Sequence, residues 1–105
     1  MNEISPIDFY KLYLSTFKIK IIDVRETYEF DEYHIKGSVN IPFSVIMNKH
    51  SLFLNKKYHY FIICKNGTAS KIVTNKLHDL GYNICNVIGG LKSWRGDLVQ
   101  EVSFY

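Results

Sequence analysis

Three short apolar runs and one long amphipathic stretch organise the chain. Ile19 to Val24, Tyr58 to Ile63 and Ile84 to Ile88 are dominated by apolar, aromatic and β-branched residues, with few polar positions inside each run. Runs of that length and composition predict strands covered on both faces. Helical spacing lies between them. Ser5-Pro6-Ile7-Asp8 predicts a helix start, with Ser5 as cap, Pro6 in the first helical position and Asp8 completing a capping box. Phe9, Leu12 and Tyr13 then recur along it. Glu26 to Tyr33 predicts a short acidic helix with Tyr28, Phe30 and Tyr33 as its apolar side. Phe43 to Met47 predicts one or two helical turns, and Leu91 to Trp94 a last short helix. After Cys64, the positions Ala69, Ile72, Val73, Leu77 and Leu80 form one helical stripe, and Gly81 is placed to end it. Strands alternating with helices over short connections predict a mostly parallel α/β sheet with helices on both faces. In such sheets ligands bind beyond the carboxyl ends of the strands, and Cys64 follows one of those ends.

Length makes residues 1–105 a single domain, since about one hundred residues is a common domain size. The 47% hydrophobic and 22% charged content is that of a globular protein. A net charge of +3 is too mild for a nucleic-acid binder. Arg25 and Arg95 are the only arginines, which excludes a site built on several bidentate clamps. No apolar run approaches the ~20 residues of a membrane span, and the first residues lack a signal-peptide core, so a cytoplasmic protein is expected. Two cysteines are too few for a disulfide scaffold, and their spacing fits no metal knuckle. In a reducing compartment both are expected to be thiols.

The two thiols sit in different surroundings. Cys64 opens the loop Cys64-Lys65-Asn66-Gly67-Thr68-Ala69-Ser70 between a strand end and a helix start. Unpaired N–H groups and the positive end of the helix dipole favour a thiolate there. Gly67 lets the loop bend, Thr68 and Ser70 bring hydroxyls, and Lys65 and Lys71 bring charge. The product is a small anion cradle with a nucleophilic sulfur at its base; the plain alternative is a buried strand-end cysteine. Cys85, in NICNVI, stands where a strand needs an apolar residue and reads as an inert buried thiol. Its alternative role, a resolving cysteine, requires the two Cα atoms to lie within ~7 Å.

These motifs together resemble the rhodanese-like domain family of sulfurtransferases. Ile22-Asp23-Val24-Arg25-Glu26 with Glu29-Phe30 is similar to its first motif, and His34-Ile35-Lys36-Gly37-Ser38-Val39-Asn40-Ile41-Pro42 to its HIxGAxNIP segment. The Cys64–Ser70 loop resembles its active-site loop. Leu77 to Tyr82, Gly89-Gly90 and Trp94 match its closing pattern. The resemblance implies a sheet of about five parallel strands and a catalytic cysteine, Cys64. It also implies transfer of a sulfane sulfur from a donor such as thiosulfate to a thiol or cyanide acceptor, through a persulfide on Cys64. The loop amides from Lys65 to Ser70 would hold the anion, with Asp23 and Arg25 supporting the loop. No cofactor or metal is expected. The expected partners are a small sulfane-sulfur donor and a thiol acceptor, or a protein persulfide, with neither nucleic acid nor membrane involved.

Two departures modify that expectation. Many loops of the family carry arginine where this chain has Ala69. The loss takes away an anion-binding guanidinium and motivates a second reading, a persulfide relay or sulfur-sensing module with little turnover. Phosphatase and arsenate-reductase relatives end a longer loop in arginine, whereas the sixth residue after Cys64 is Ser70, so that activity ranks lower. Among the remaining polar residues, His34 is expected to fix its turn by hydrogen bonds, and His50, His59 and His78 to serve solvated or packing roles. Trp94 is expected in the core or a pocket wall.

Overall fold

A computed structural model describes residues 2–15 and 19–100. Both ends of the expected 1–105 domain, residue 1 and residues 101–105, lie outside the described residues. The elements are β1 (Glu3–Ile4), α1 (Pro6–Ser15), β2 (Lys20–Asp23), α2 (Thr27–Glu32), β3 (Val39–Asn40), α3 (Phe43–Phe53), β4 (His59–Ile63), α4 (Thr68–Asp79), β5 (Asn83–Val87) and a 3-10 turn (Gly90–Ser93). The five strands form one parallel sheet in the order β1-β5-β4-β2-β3. Asp23 pairs with Ile63, so Val24, Arg25 and Cys64 leave the sheet at the same carboxyl edge. The Val24 N–H donates to the Ile63 carbonyl at 3.0 Å, extending the β2–β4 ladder to the edge where the cysteine loop begins.

The pleat of the sheet divides the core in two. Ile22, Tyr60, Ile62, Cys64 and Ile84 face one side, where Ile46 of α3 and Val73 and Leu77 of α4 cover them. Ile21, Phe61, Ile63, Cys85 and Val87 face the other, against Phe9 of α1 and the flanking Leu91 and Trp94. The period-two alternation of a strand carries this division. Trp94 therefore lies in the second core, where its ring approaches Phe9, Tyr10 and Tyr13.

Local chemistry explains the helix starts. The Asp8 N–H donates to Ser5 Oγ at 3.1 Å, the expected cap of α1. On α2 a capping box joins Glu26 to Glu29, whose carboxylate accepts the Glu26 N–H at 3.1 Å.

Several expectations need correction. α2 buries no residue; Tyr28 and Tyr33 are exposed, and Phe30 stacks on His34 with ring centroids 3.7 Å apart. α3 runs six residues past Met47, through a kink at Lys49, which the polar Asn48-Lys49-His50 segment conceals. The buried stripe of α4 is Ser70, Val73, Thr74 and Leu77, while Ile72 and Leu80 are exposed. No apolar run predicts β1. Its two residues acquire strand geometry by pairing with Asn86 and Val87.

Candidate functional site

The site begins with how the cysteine loop is forced to turn. Gly67 adopts φ +93°, a left-handed conformation that glycine accepts without steric cost. The loop thereby reverses into α4. Asn66 Oδ1 accepts the Thr68 N–H at 3.1 Å, satisfying one of the orphan donors of the helix start. Two further N–H groups turn towards the sulfur: Gly67 N lies 3.1 Å and Ser70 N 3.3 Å from Cys64 Sγ. The Ser70 hydroxyl is 3.2 Å from the same atom; it accepts from a thiol and donates to a thiolate. Cys64 is only 3% exposed. The arrangement gives a negative charge on sulfur two main-chain donors and a hydroxyl, with little competing water.

The structure brings the loop residues together but separates them by role. Gly67 and Ser70 hold the sulfur, and Asn66 holds the helix start. Thr68 and Lys65 have exposed side chains. Ala69 is half-buried and packs against the first core. The Lys71 ammonium lies 3.7 Å from the Glu3 carboxylate, so its charge is shared with β1. A cleft of about 380 Å³ runs beside the loop, lined by Asn66, Gly67, Thr68, Lys71 and Gly89 among others. Cys64 is not among its lining residues.

Asp23 and Arg25 form a closed unit. Asp23 is fully buried and Arg25 nearly so. Nε and Nη2 of Arg25 grip the Asp23 carboxylate in three bonds of 2.9–3.1 Å, and the Arg25 N–H adds a fourth at 3.0 Å. The remaining guanidinium capacity goes to main chain, with Nη2 donating to the Tyr33 carbonyl at 2.6 Å and Nη1 to the Glu29 carbonyl at 3.3 Å. The pair thus fastens the end of β2 to Glu29 within α2 and to Tyr33 just beyond it. Asn40 completes the brace by donating to the Asp23 and Arg25 carbonyls. Its place in a motif is evident in the sequence, but these two bonds are not.

The other singled-out residues lie apart from the sulfur. His34 Nδ1 is 2.7 Å from the Phe30 carbonyl, and its main chain bridges to Val99. His50 Nδ1 meets the Tyr82 hydroxyl at 2.8 Å. Cys85 faces the core opposite Cys64. Burial first, and the Glu3 carboxylate second, push the Cys85 thiol above its ordinary 9.0. The Gly89–Gly90 turn is visible in the sequence, but its contact with the cysteine loop is not. The N–H groups that follow it, those of Leu91 and Lys92, donate to the Cys64 and Lys65 carbonyls at 2.9 and 3.0 Å.

Comparison with known proteins bears on this geometry. The chain is 40% identical over 91 residues to the Adenylyltransferase and sulfurtransferase uba4 of Sclerotinia sclerotiorum, covering 71% of this chain and 20% of that protein. It is 33% identical over 95 residues to the Putative sulfur carrier protein YrkF of Bacillus subtilis, covering 90% of this chain and 51% of that protein. The chain therefore spans from a fifth to a half of these relatives. Among solved structures, a rhodanese-related protein of Thermoplasma volcanium superposes with a TM-score of 0.85 at 32% identity, covering 96% of this chain and all of the other. A rhodanese-like domain protein of Staphylococcus aureus gives 0.86 at 28% identity, covering 97% of this chain and all of the other. Sulfur transfer, in general terms, is the chemistry these likenesses support. The family model of the rhodanese-like domain matches residues 6–97, and the chain belongs to that family.

Proposed function

We propose that this domain transfers sulfane sulfur through a persulfide on Cys64. The observation that carries the reading is the convergence of the Gly67 and Ser70 N–H groups and the Ser70 hydroxyl on one buried sulfur. In the first half-reaction the Cys64 thiolate attacks the outer sulfur of a donor. The donor's sulfur–sulfur bond breaks, its electron pair leaves with a thiolate or sulfite, and a new S–S bond forms on Sγ. The loop amides stabilise the negative charge carried by the outer sulfur, as an oxyanion hole would. In the second half-reaction an acceptor thiolate or cyanide attacks that outer sulfur, and Cys64 leaves as thiolate. Two half-reactions sharing one covalent intermediate give ping-pong kinetics.

Thiosulfate is one donor class and a small or protein persulfide is the other. The second is favoured by the surroundings of the sulfur. Ala69 brings no charge to the loop, Arg25 is buried and held by Asp23 and two carbonyls, and Lys71 is paired with Glu3. Few cations remain to neutralise a dianion. A persulfide relay with slow turnover on thiosulfate is thus the second reading. Both readings need Cys64 to load sulfur.

Intact-mass analysis after incubation with thiosulfate and, separately, with an alkyl persulfide tests this. One added sulfur atom, removable by a reductant and missing in Cys64→Ser, is expected. Wild-type protein that gains no sulfur from either donor rejects the proposal. Loading from the alkyl persulfide alone selects the relay; loading from both, with thiosulfate:cyanide turnover, selects the thiosulfate enzyme.

A further inference from the structure

The Cys64 sulfur is held by main-chain donors, and that main chain is itself held from outside. Behind it stands the Gly89–Gly90 turn, which supplies no group to the sulfur. Leu91 and Lys92, in the 3-10 turn that Gly90 starts, donate their N–H groups to the Cys64 and Lys65 carbonyls at 2.9 and 3.0 Å. A trans peptide unit points its carbonyl and its N–H in opposite directions. Fixing these two carbonyls therefore fixes the N–H groups of Lys65 and Asn66 on the side of the loop away from the turn. No hydrogen bond among the described residues uses either N–H.

The two backbones meet with no side chain between them. Gly90 has φ +56°, and a Cβ there would overlap the Cys64 carbonyl oxygen and lie 2.8 Å from the carbonyl carbon and oxygen of Lys65. From the other side, a Cβ on Gly67 would come within 2.9 Å of the Gly89 nitrogen. Contacts this short with backbone force displacement, because neither partner can swing aside as the end of a side chain does.

We infer that the Gly89–Gly90 turn is a positioning element for the reaction at Cys64. It holds the Cys64–Lys65 and Lys65–Asn66 peptide units from behind, and with them the path of the chain into Gly67, whose N–H bonds the sulfur; only glycine admits that approach. The inference rests on the sulfur-transfer reading for its purpose, but its geometry is testable on the thiol alone. Small displacements of a reacting group carry large rate penalties.

The test compares Gly90→Ala with Gly37→Ala. Gly37 has φ +92°, but a Cβ there would meet no heavy atom within 4 Å, so its variant carries the left-handed strain without the contact. Two rates are measured per folded molecule: iodoacetamide alkylation mapped to Cys64, and sulfur loading from an alkyl persulfide. Gly90→Ala is expected to slow both by roughly ten- to a hundredfold, with Gly37→Ala at the wild-type rate. A folded Gly90→Ala that matches Gly37→Ala overturns the inference. Should Gly90→Ala not fold, Gly89→Ala decides the matter. Its Cβ would overlap the Ser93 hydroxyl, so it should be slow alone and restored by adding Ser93→Gly. Failure of Ser93→Gly to restore it, or a wild-type rate for Gly89→Ala alone, also overturns the inference. A wild-type protein that alkylates at Cys64 yet loads no sulfur rejects the proposed function, and the alkylation rates still decide the role of the turn.

Discussion

At the scale of residues, the cradle around Cys64 is built from two main-chain donors and one side chain. Ser70 supplies both an N–H and a hydroxyl to Sγ, so the two contributions separate by substitution. Ser70→Ala keeps the N–H and removes the hydroxyl. Loss of one preorganised donor to a developing anion costs on the order of a hundredfold where it is the dominant contact. With two N–H groups remaining, a reduction of about tenfold in the single-turnover rate of sulfur loading is expected, with α4 intact by circular dichroism. An unchanged rate would place the whole burden on the amides. The buried Asp23–Arg25 pair follows a different logic. Removing one partner of such a pair costs about 3–5 kcal/mol, because the other charge stays buried and unpaired. Its carboxylate and guanidinium are spent on the β2–α2 connection.

At the scale of elements, α4 shows what periodicity reveals and what it hides. The apolar stripe of Ala69, Ile72, Val73, Leu77 and Leu80 locates the helix and its end. It misplaces the buried face, because Ser70 and Thr74 face inward and a hydropathy pattern counts them as outward. Ser70 is inward with its N–H and hydroxyl at Cys64 Sγ; Thr74 Oγ1 is buried with no hydrogen-bond partner among the described residues. The consequence is measurable. Leu77→Ala should destabilise the fold by about 2–5 kcal/mol in denaturant titration. Ile72→Ala, at a position 49% exposed, should stay within roughly 0.5 kcal/mol of wild type. Equal effects would contradict the observed orientation of α4. The strands of the sheet interior are legible because β2, β4 and β5 are apolar on both faces. β1 is not, since Glu3-Ile4 becomes a strand only through its bonds to β5. The cysteine loop is legible from position and residue type, whereas the pairing of its carbonyls with Leu91 and Lys92 depends on tertiary approach and leaves no local pattern beyond two adjacent glycines.

At the scale of the whole molecule, the sheet acts as a wall between the two thiols. Cys64 and Cys85 belong to cores on opposite faces, so their side chains diverge and no disulfide can join them without backbone movement. Mild oxidation of the native protein should leave no intramolecular Cys64–Cys85 bond by non-reducing mass analysis. Cys85→Ala should load sulfur like wild type. The burial of Cys85 has its own signature. Its raised folded-state value means that the unfolded thiol ionises first, so its contribution to stability is intact below about pH 9 and is lost as the pH rises beyond that. Cys85→Ala should flatten the alkaline decline measured by thermal unfolding. A decline of the same steepness in that variant would assign it to other groups.

The main-chain character of the cradle reaches beyond rate. Peptide N–H groups do not titrate in the physiological range, and no side-chain exchange at the exposed Lys65 or Thr68 deletes them. The outward-facing positions of the loop are thus free to drift in charge and size while the sulfur keeps its support. Substitutions there are expected to change what approaches the loop while leaving the hydrogen bonds to Sγ in place.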